Sequence, residues 1–104
     1  MPEIGRMGER FDIQGDVLFR LPSGGPYRLE GVDISHNAIA VKVSLNSEVV
    51  DDIRLFFSEL ATIDHPALVS VAEGKLYMVE RTSTDTLKWI FSFVGKQKLQ
   101  KNTG

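Results

Sequence analysis

The stretch Phe11-Asp12-Ile13-Gln14-Gly15-Asp16-Val17-Leu18-Phe19-Arg20-Leu21 sets apolar side chains on alternate residues. Phe11, Ile13, Val17, Phe19 and Leu21 form the apolar row, with only Gly15 interrupting, and Asp12, Gln14, Asp16 and Arg20 fall between them. A period of two predicts a β-strand with one wet face. Pro22-Ser23-Gly24-Gly25-Pro26 follows. It reads as a turn, because glycine accepts positive φ and proline cannot continue a ladder. Tyr27 to Val32 then pairs back as the second strand of a hairpin.

Beyond the hairpin, Asp33 to Asn37 breaks the pattern and suits a tight turn. Ala38 to Leu45 restores it, with Ile39, Val41, Val43 and Leu45 inward and Lys42 and Ser44 outward. Residues 49–63 carry two periods at once. Ile53, Leu55 and Phe57 alternate like a strand, whereas Phe56, Leu60 and Ile63 have helical spacing. The alternation predicts a strand over Ile53–Phe57 and a loop or single turn after it. Asp64-His65-Pro66 ends that segment, since the residue before a proline is pushed out of the helical region.

Ala67–Ala72 and Leu76–Arg81 are β-rich, with Glu73-Gly74-Lys75 between them as a bulge or tight hairpin. After a polar turn at Thr82–Thr86, Leu87, Trp89, Phe91 and Phe93 alternate with Lys88, Ile90 and Ser92. They give a last strand with a large aromatic face. Phe11, Phe19, Trp89, Phe91 and Phe93 are expected in the core, leaving Tyr27 and Tyr77 as aromatics for the surface. Residues 1–10 hold Pro2, Gly5 and Gly8, which oppose a regular helix, so a flexible arm is expected. Residues 96–104 offer one apolar side chain, Leu99, and read as a frayed polar tail. The sum is an all-β fold, an antiparallel barrel or sandwich of six or seven short strands, in one domain over residues 11–95.

The chain has 104 residues, 42% hydrophobic and 25% charged, enough for one core. Its net charge is -2 and its pI about 5.6, whereas a surface built to grip duplex nucleic acid is strongly basic. There is no cysteine, so disulfides, thiolate chemistry and zinc–thiolate sites are excluded. No apolar leader or membrane-length run is present, and a cytoplasmic protein is expected.

Enzymatic chemistry finds little support. Ser35 and His36 are neighbours, but adjacent residues point apart, and a nucleophile needs its base within about 3 Å. Two histidines with nearby acids, Asp33 with His36 and Asp64 with His65, fall short of the three or four ligands of a metal centre. Neither a metal nor a cofactor is expected. Single-strand nucleic-acid binding by stacking on exposed aromatics is a weak alternative, because most aromatics lie on the apolar faces.

Two short words remain. Arg6-Met7-Gly8-Glu9-Arg10 puts two arginines four apart, and Asp33-Ile34-Ser35-His36-Asn37-Ala38 puts an acid and a hydroxyl on alternate residues. Guanidinium forks bond phosphate oxygens bidentately and match the O6/N7 edge of guanine. A carboxylate accepts from the N–H donors of guanine's Watson–Crick edge. On an extended chain Asp33 and Ser35 point to one side. Taken without the arginines, the second word is an Asx- or Ser-type turn cap.

The two words in this order, with a hairpin between them and a Phe-rich strand at the end, resemble the PilZ domain family, whose pattern is RxxxR followed by [D/N]xSxxG. The likeness spans nearly the whole chain. It implies a six-stranded antiparallel β-barrel that binds the bacterial second messenger cyclic di-GMP, without catalysis, and relays to a protein partner in motility or biofilm control. Carried over, Arg6 and Arg10 hold phosphates and guanine edges, and Asp33 and Ser35 contact a guanine. Ala38 stands where the family usually has glycine, which permits close approach or an unusual φ. The alternative is a degenerate PilZ-like interaction module of pilus or motility assembly that binds no nucleotide.

Overall fold

A computed structural model describes residues 9–100. In it the alternating stretch splits in two at Gly15, whose φ of +79° turns the chain. The halves are β1 (Phe11–Asp12) and β2 (Asp16–Leu21). After them come β3 (Gly24–Ile34), β4 (Ala38–Ser44), a 3-10 turn (Glu48–Asp52), α1 (Ile53–Ser58), β5 (Ala61–Asp64), β6 (Ala72–Arg81) and β7 (Thr86–Phe93). The strands follow one another as β3-β2-β5-β6-β7-β4, and β4 returns to β3, so six antiparallel strands close a barrel. Closure leaves the ring without open edges. β1 lies outside the ring, paired with the end of β3 beyond the residues that pair with β2. Among the described residues no helix is long and apolar enough to cross a membrane.

The inward rows are those of the alternation. Val17 and Phe19 from β2, Ile39 and Val41 from β4, and Trp89 and Phe91 from β7 are fully buried. Phe19 and Phe91 meet at 4.4 Å between ring centroids. A smaller cluster of Ala38, Ala40 and Ile90 lies on the outer face, packed against Val32, Tyr77 and Met78. At the β6–β7 turn the hydroxyls of Ser83 and Thr86 donate to Asp85 Oδ1 at 3.0 and 3.1 Å, holding its carboxyl below the ordinary value.

Several expectations are corrected. Ile53–Phe57 is helical, not a strand. Both edges of β4 are already paired, with β3 and β7, so a strand there would have had no neighbour in the ring. Instead the Ser47 side chain caps the 3-10 turn by accepting from Val49 N–H at 3.3 Å, and Phe56 points into the barrel. β5 takes the place assigned to a loop. Glu73-Gly74-Lys75 lies inside the continuous strand β6, and the irregularity comes later, between Leu76 and Met78. Residues 67–71 are a bent connection rather than a strand. Phe11 is 44% exposed rather than core, because β1 is outside the ring. Residues 96–100 are docked rather than frayed: Leu99 bridges Leu68, and the amide of Gln97 donates to the His36 carbonyl. Residues 1–8 of the expected arm (1–10) and residues 101–104 of the expected tail (96–104) lie outside the described residues.

Candidate functional site

β3 runs past the expected turn, so Asp33 and Ile34 are strand residues, and the turn is confined to Ser35-His36-Asn37. β1 pairs with this end of β3, Phe11 opposite Ile34 and Asp12 opposite Asp33. Continued by one residue, that register sets the backbone of Arg10 beside Ser35. The second arginine of the first word thus adjoins the second word. Arg6 lies outside the described residues.

Asp33 is 8% exposed, and its Oδ2 lies 3.7 Å from Lys88 Nζ on β7. This carboxylate is therefore oriented by a cation from a strand that the two words do not include. Ser35 is fully buried. Its Oγ accepts from the amides of Asn37 and Ala38, both at 3.2 Å, and donates to the Ala38 carbonyl at 3.5 Å. The hydroxyl is saturated inside the turn, which it holds in shape; in direct contact with a ligand it would give up a turn bond. Ala38 is also fully buried and pairs with Ser92 in a regular ladder. Among the described residues no side chain other than glycine sits at positive φ, so position 38 does not require glycine's backbone freedom here.

Beside the turn opens a cleft of about 1040 Å³. Phe11, Ile13, Ile34, His36, Pro66 and Leu99 are among the residues that line it. His65 Nδ1 accepts from the Ala67 amide at 2.9 Å, so Nε2 carries the proton and donates to the Gln14 carbonyl at 2.8 Å. Both nitrogens are thereby spent on backbone. His36 Nδ1 lies 2.8 Å from the Gln97 carbonyl, which only accepts, so this nitrogen donates. Neither histidine forms a nucleophile–base pair with Ser35, whose proton stays in the turn.

The sequence reading missed Lys88 and the docking of Gln97 on His36. Lys88 carried a signal, since it is the polar residue beside Trp89 in a strongly alternating strand. Its pairing with Asp33 depends on β4 lying between β3 and β7, which no local pattern encodes. A test of the Ser35 assignment follows. Ser35→Ala removes the acceptor for two amides, at a cost of about 1–2 kcal/mol. The expected result is a melting temperature lower by about 5–15 °C in a thermal unfolding experiment.

No family model, curated protein or solved structure matches this chain.

Proposed function

We propose that the chain is a non-enzymatic receptor of PilZ type for cyclic di-GMP, with its ligand at the junction of β1, the end of β3 and the Ser35–Asn37 turn. The observation that supports this reading is the pairing of Phe11 with Ile34 and Asp12 with Asp33, since Arg10 immediately precedes Phe11 in the chain. In this reading Arg6 and Arg10 hold phosphate oxygens and guanine edges, since their planar forks suit both. Asp33 accepts from guanine N–H groups. Lys88, its present partner at 3.7 Å, turns toward a phosphate when the ligand takes the carboxylate. Ser35 and Ala38 keep the turn in shape. Ligand binding then presents a changed surface to a protein partner, which requires tighter ligand binding in the state the partner recognises.

A calorimetric titration with cyclic di-GMP tests this. Wild type is expected to bind, and Arg10→Ala and Asp33→Ala to lose at least about tenfold in affinity, the loss of roughly one charge-assisted contact. Arg28→Ala, on the β3 segment paired with β2 at Leu18, serves as control. Wild-type affinity in the Arg10 variant would remove the site assignment. The saturated hydroxyl of Ser35 favours a second reading, the interaction module without nucleotide. Complete absence of heat from wild type would select it.

A further inference from the structure

The docked C-terminal residues, attached to the second word where Gln97 meets His36, also carry an exposed face of their own. The amide of Val94 donates to the Glu73 carbonyl, that of Val69 to Lys98, and that of Gln100 to Ala67. These pairs keep the register of Gly74 with Phe93. The β6–β7 hairpin therefore continues, past a bend at Gly95, as a ladder reaching residues 67 and 100. Val69, Val71 and Val94 on this ladder are each more than half exposed. Lys75, Lys96 and Lys98 are exposed beside them, against one acid, Glu73. Among the described residues no carboxylate forms an ion pair with these lysines. Apolar and cationic side chains are thus interleaved on a chain whose net charge is -2.

The opposite end of the barrel carries the complementary chemistry. β4 and β7 are antiparallel, so Ser44 meets Thr86 at one end and Ala38 meets Ser92 at the other. The first end leads into the 3-10 turn and α1, the second into the ladder. Residues 48–59 hold Glu48, Asp51, Asp52 and Glu59 against a single cation, Arg54. Phe57 projects from this acidic segment 43% exposed.

We propose that the occupant of the valine–lysine ladder is a second copy of this chain, docking head to tail through its acidic helix end with Phe57 among the valines. The contact is heterologous: each copy uses one face to give and the other to receive, so association continues beyond two. Its charge complementarity makes it salt-sensitive. It is independent of any nucleotide.

Sedimentation velocity on the full chain, without nucleotide, tests this up to about 1 mM protein, where contacts with a Kd of about 1 mM become populated. The weight-average mass of wild type is expected to rise past twice the monomer mass at low salt and to return to monomer in high salt. Lys96→Glu with Lys98→Glu blocks the ladder; Glu48→Lys with Asp51→Lys blocks the helix end. Phe57→Ser removes the apolar half of the helix face without reversing charge, should the double reversal disturb the 3-10 turn. Each variant alone is expected to stay monomeric. An equimolar mixture of the two charge-reversed proteins is expected to regain association, since the two retained faces are complementary to each other and so are the two reversed ones. A wild type monomeric throughout overturns the proposal, as does association that survives either blocked face. Binding of monomers to phosphatidylglycerol vesicles, lost on lysine reversal and without self-association, would also overturn it and assign the ladder to an anionic lipid surface.

Discussion

Phe56→Ala is expected to destabilise the barrel by about 3–5 kcal/mol, the range for deleting a fully buried phenyl ring. The ring is 0% exposed and enters the barrel from α1. It stands edge-on to four aromatic rings, with centroids 4.9 Å from Tyr27, 5.3 Å from Trp89, 5.9 Å from Phe91 and 6.2 Å from Phe19. These come from β3, β7 and β2, so no one side chain can shift into the void without leaving another. Edge-on pairs contribute beyond the area they bury, which places the cost toward the upper part of the range. Denaturant titration should show a midpoint shift at nearly unchanged slope, and heating a fall in melting temperature of about 12 °C or more. Phe57→Ala is the matched control. That ring is 43% exposed, and its loss is expected to cost less than about 1 kcal/mol. The pair separates helix from strand over Ile53–Phe57. A strand would bury Phe57 with Ile53 and Leu55 and turn Phe56 outward, so the two effects would exchange.

That contrast marks where local pattern stops informing. In β2, β4 and β7 the alternation is legible because one face meets the core, and Val17, Phe19, Leu21, Ile39, Val41, Val43, Leu87, Trp89, Phe91 and Phe93 are all buried, although Ala38, Ala40 and Ile90 on the outer face are covered too. Over residues 49–63 two periods overlap, and the choice falls to tertiary structure. β4 has no vacant edge, while Ser47 is placed to cap. Phe11 continues the apolar row of β2 in sequence but not in space, because Gly15 turns the chain onto the outside of β3. The tail misleads for a related reason. Its attachment runs through backbone groups of Lys98, Gln97 and Gln100, which have no side-chain signature, and Leu99 alone supplies an apolar anchor.

The candidate site divides along the same line. That Arg10 comes near the second word could be anticipated, since both flank strands of a small antiparallel fold. The occupation of their side chains could not. Ser35 followed three residues later by Ala38 is equally the pattern of a ligand-binding hydroxyl and of a turn that closes on itself, and only the 3.2 Å bonds from Asn37 and Ala38 distinguish them. Asp33 is held by Lys88 across an intervening strand, a relation created by barrel closure.

Gly74→Ala is the other substitution expected to have a large effect, although it adds one methyl group. Gly74 lies where β6 is paired on both sides, with Ala61 of β5 and Phe93 of β7. A Cβ built there would stand 2.5 Å from the Ser92 carbonyl oxygen, 3.2 Å from the Ser92 carbonyl carbon and 3.1 Å from Ile63 Cδ1. Ile63 can adjust at its far end; the Ser92 backbone cannot, because it belongs to the ladder that β7 makes with β6 and β4. The methyl group must push β7 away from β6 or tilt β6 toward β5, and a closed ring transmits either movement to the remaining strands. Overpacking of a rigid interior costs about 1–3 kcal/mol, and a backbone obstacle places this case at the top of that range. The expected melting temperature is lower by roughly 10–20 °C. A matched change at Gly24, where a Cβ meets nothing within 4 Å, should leave stability within about 0.5 kcal/mol. Equal tolerance at both positions would mean that β6 and β7 do not approach as closely as the ladder requires. Amide exchange should localise the effect: protection is expected to fall first at Lys75 and Val94, on either side of the obstruction, before it falls in the β2–β3 hairpin.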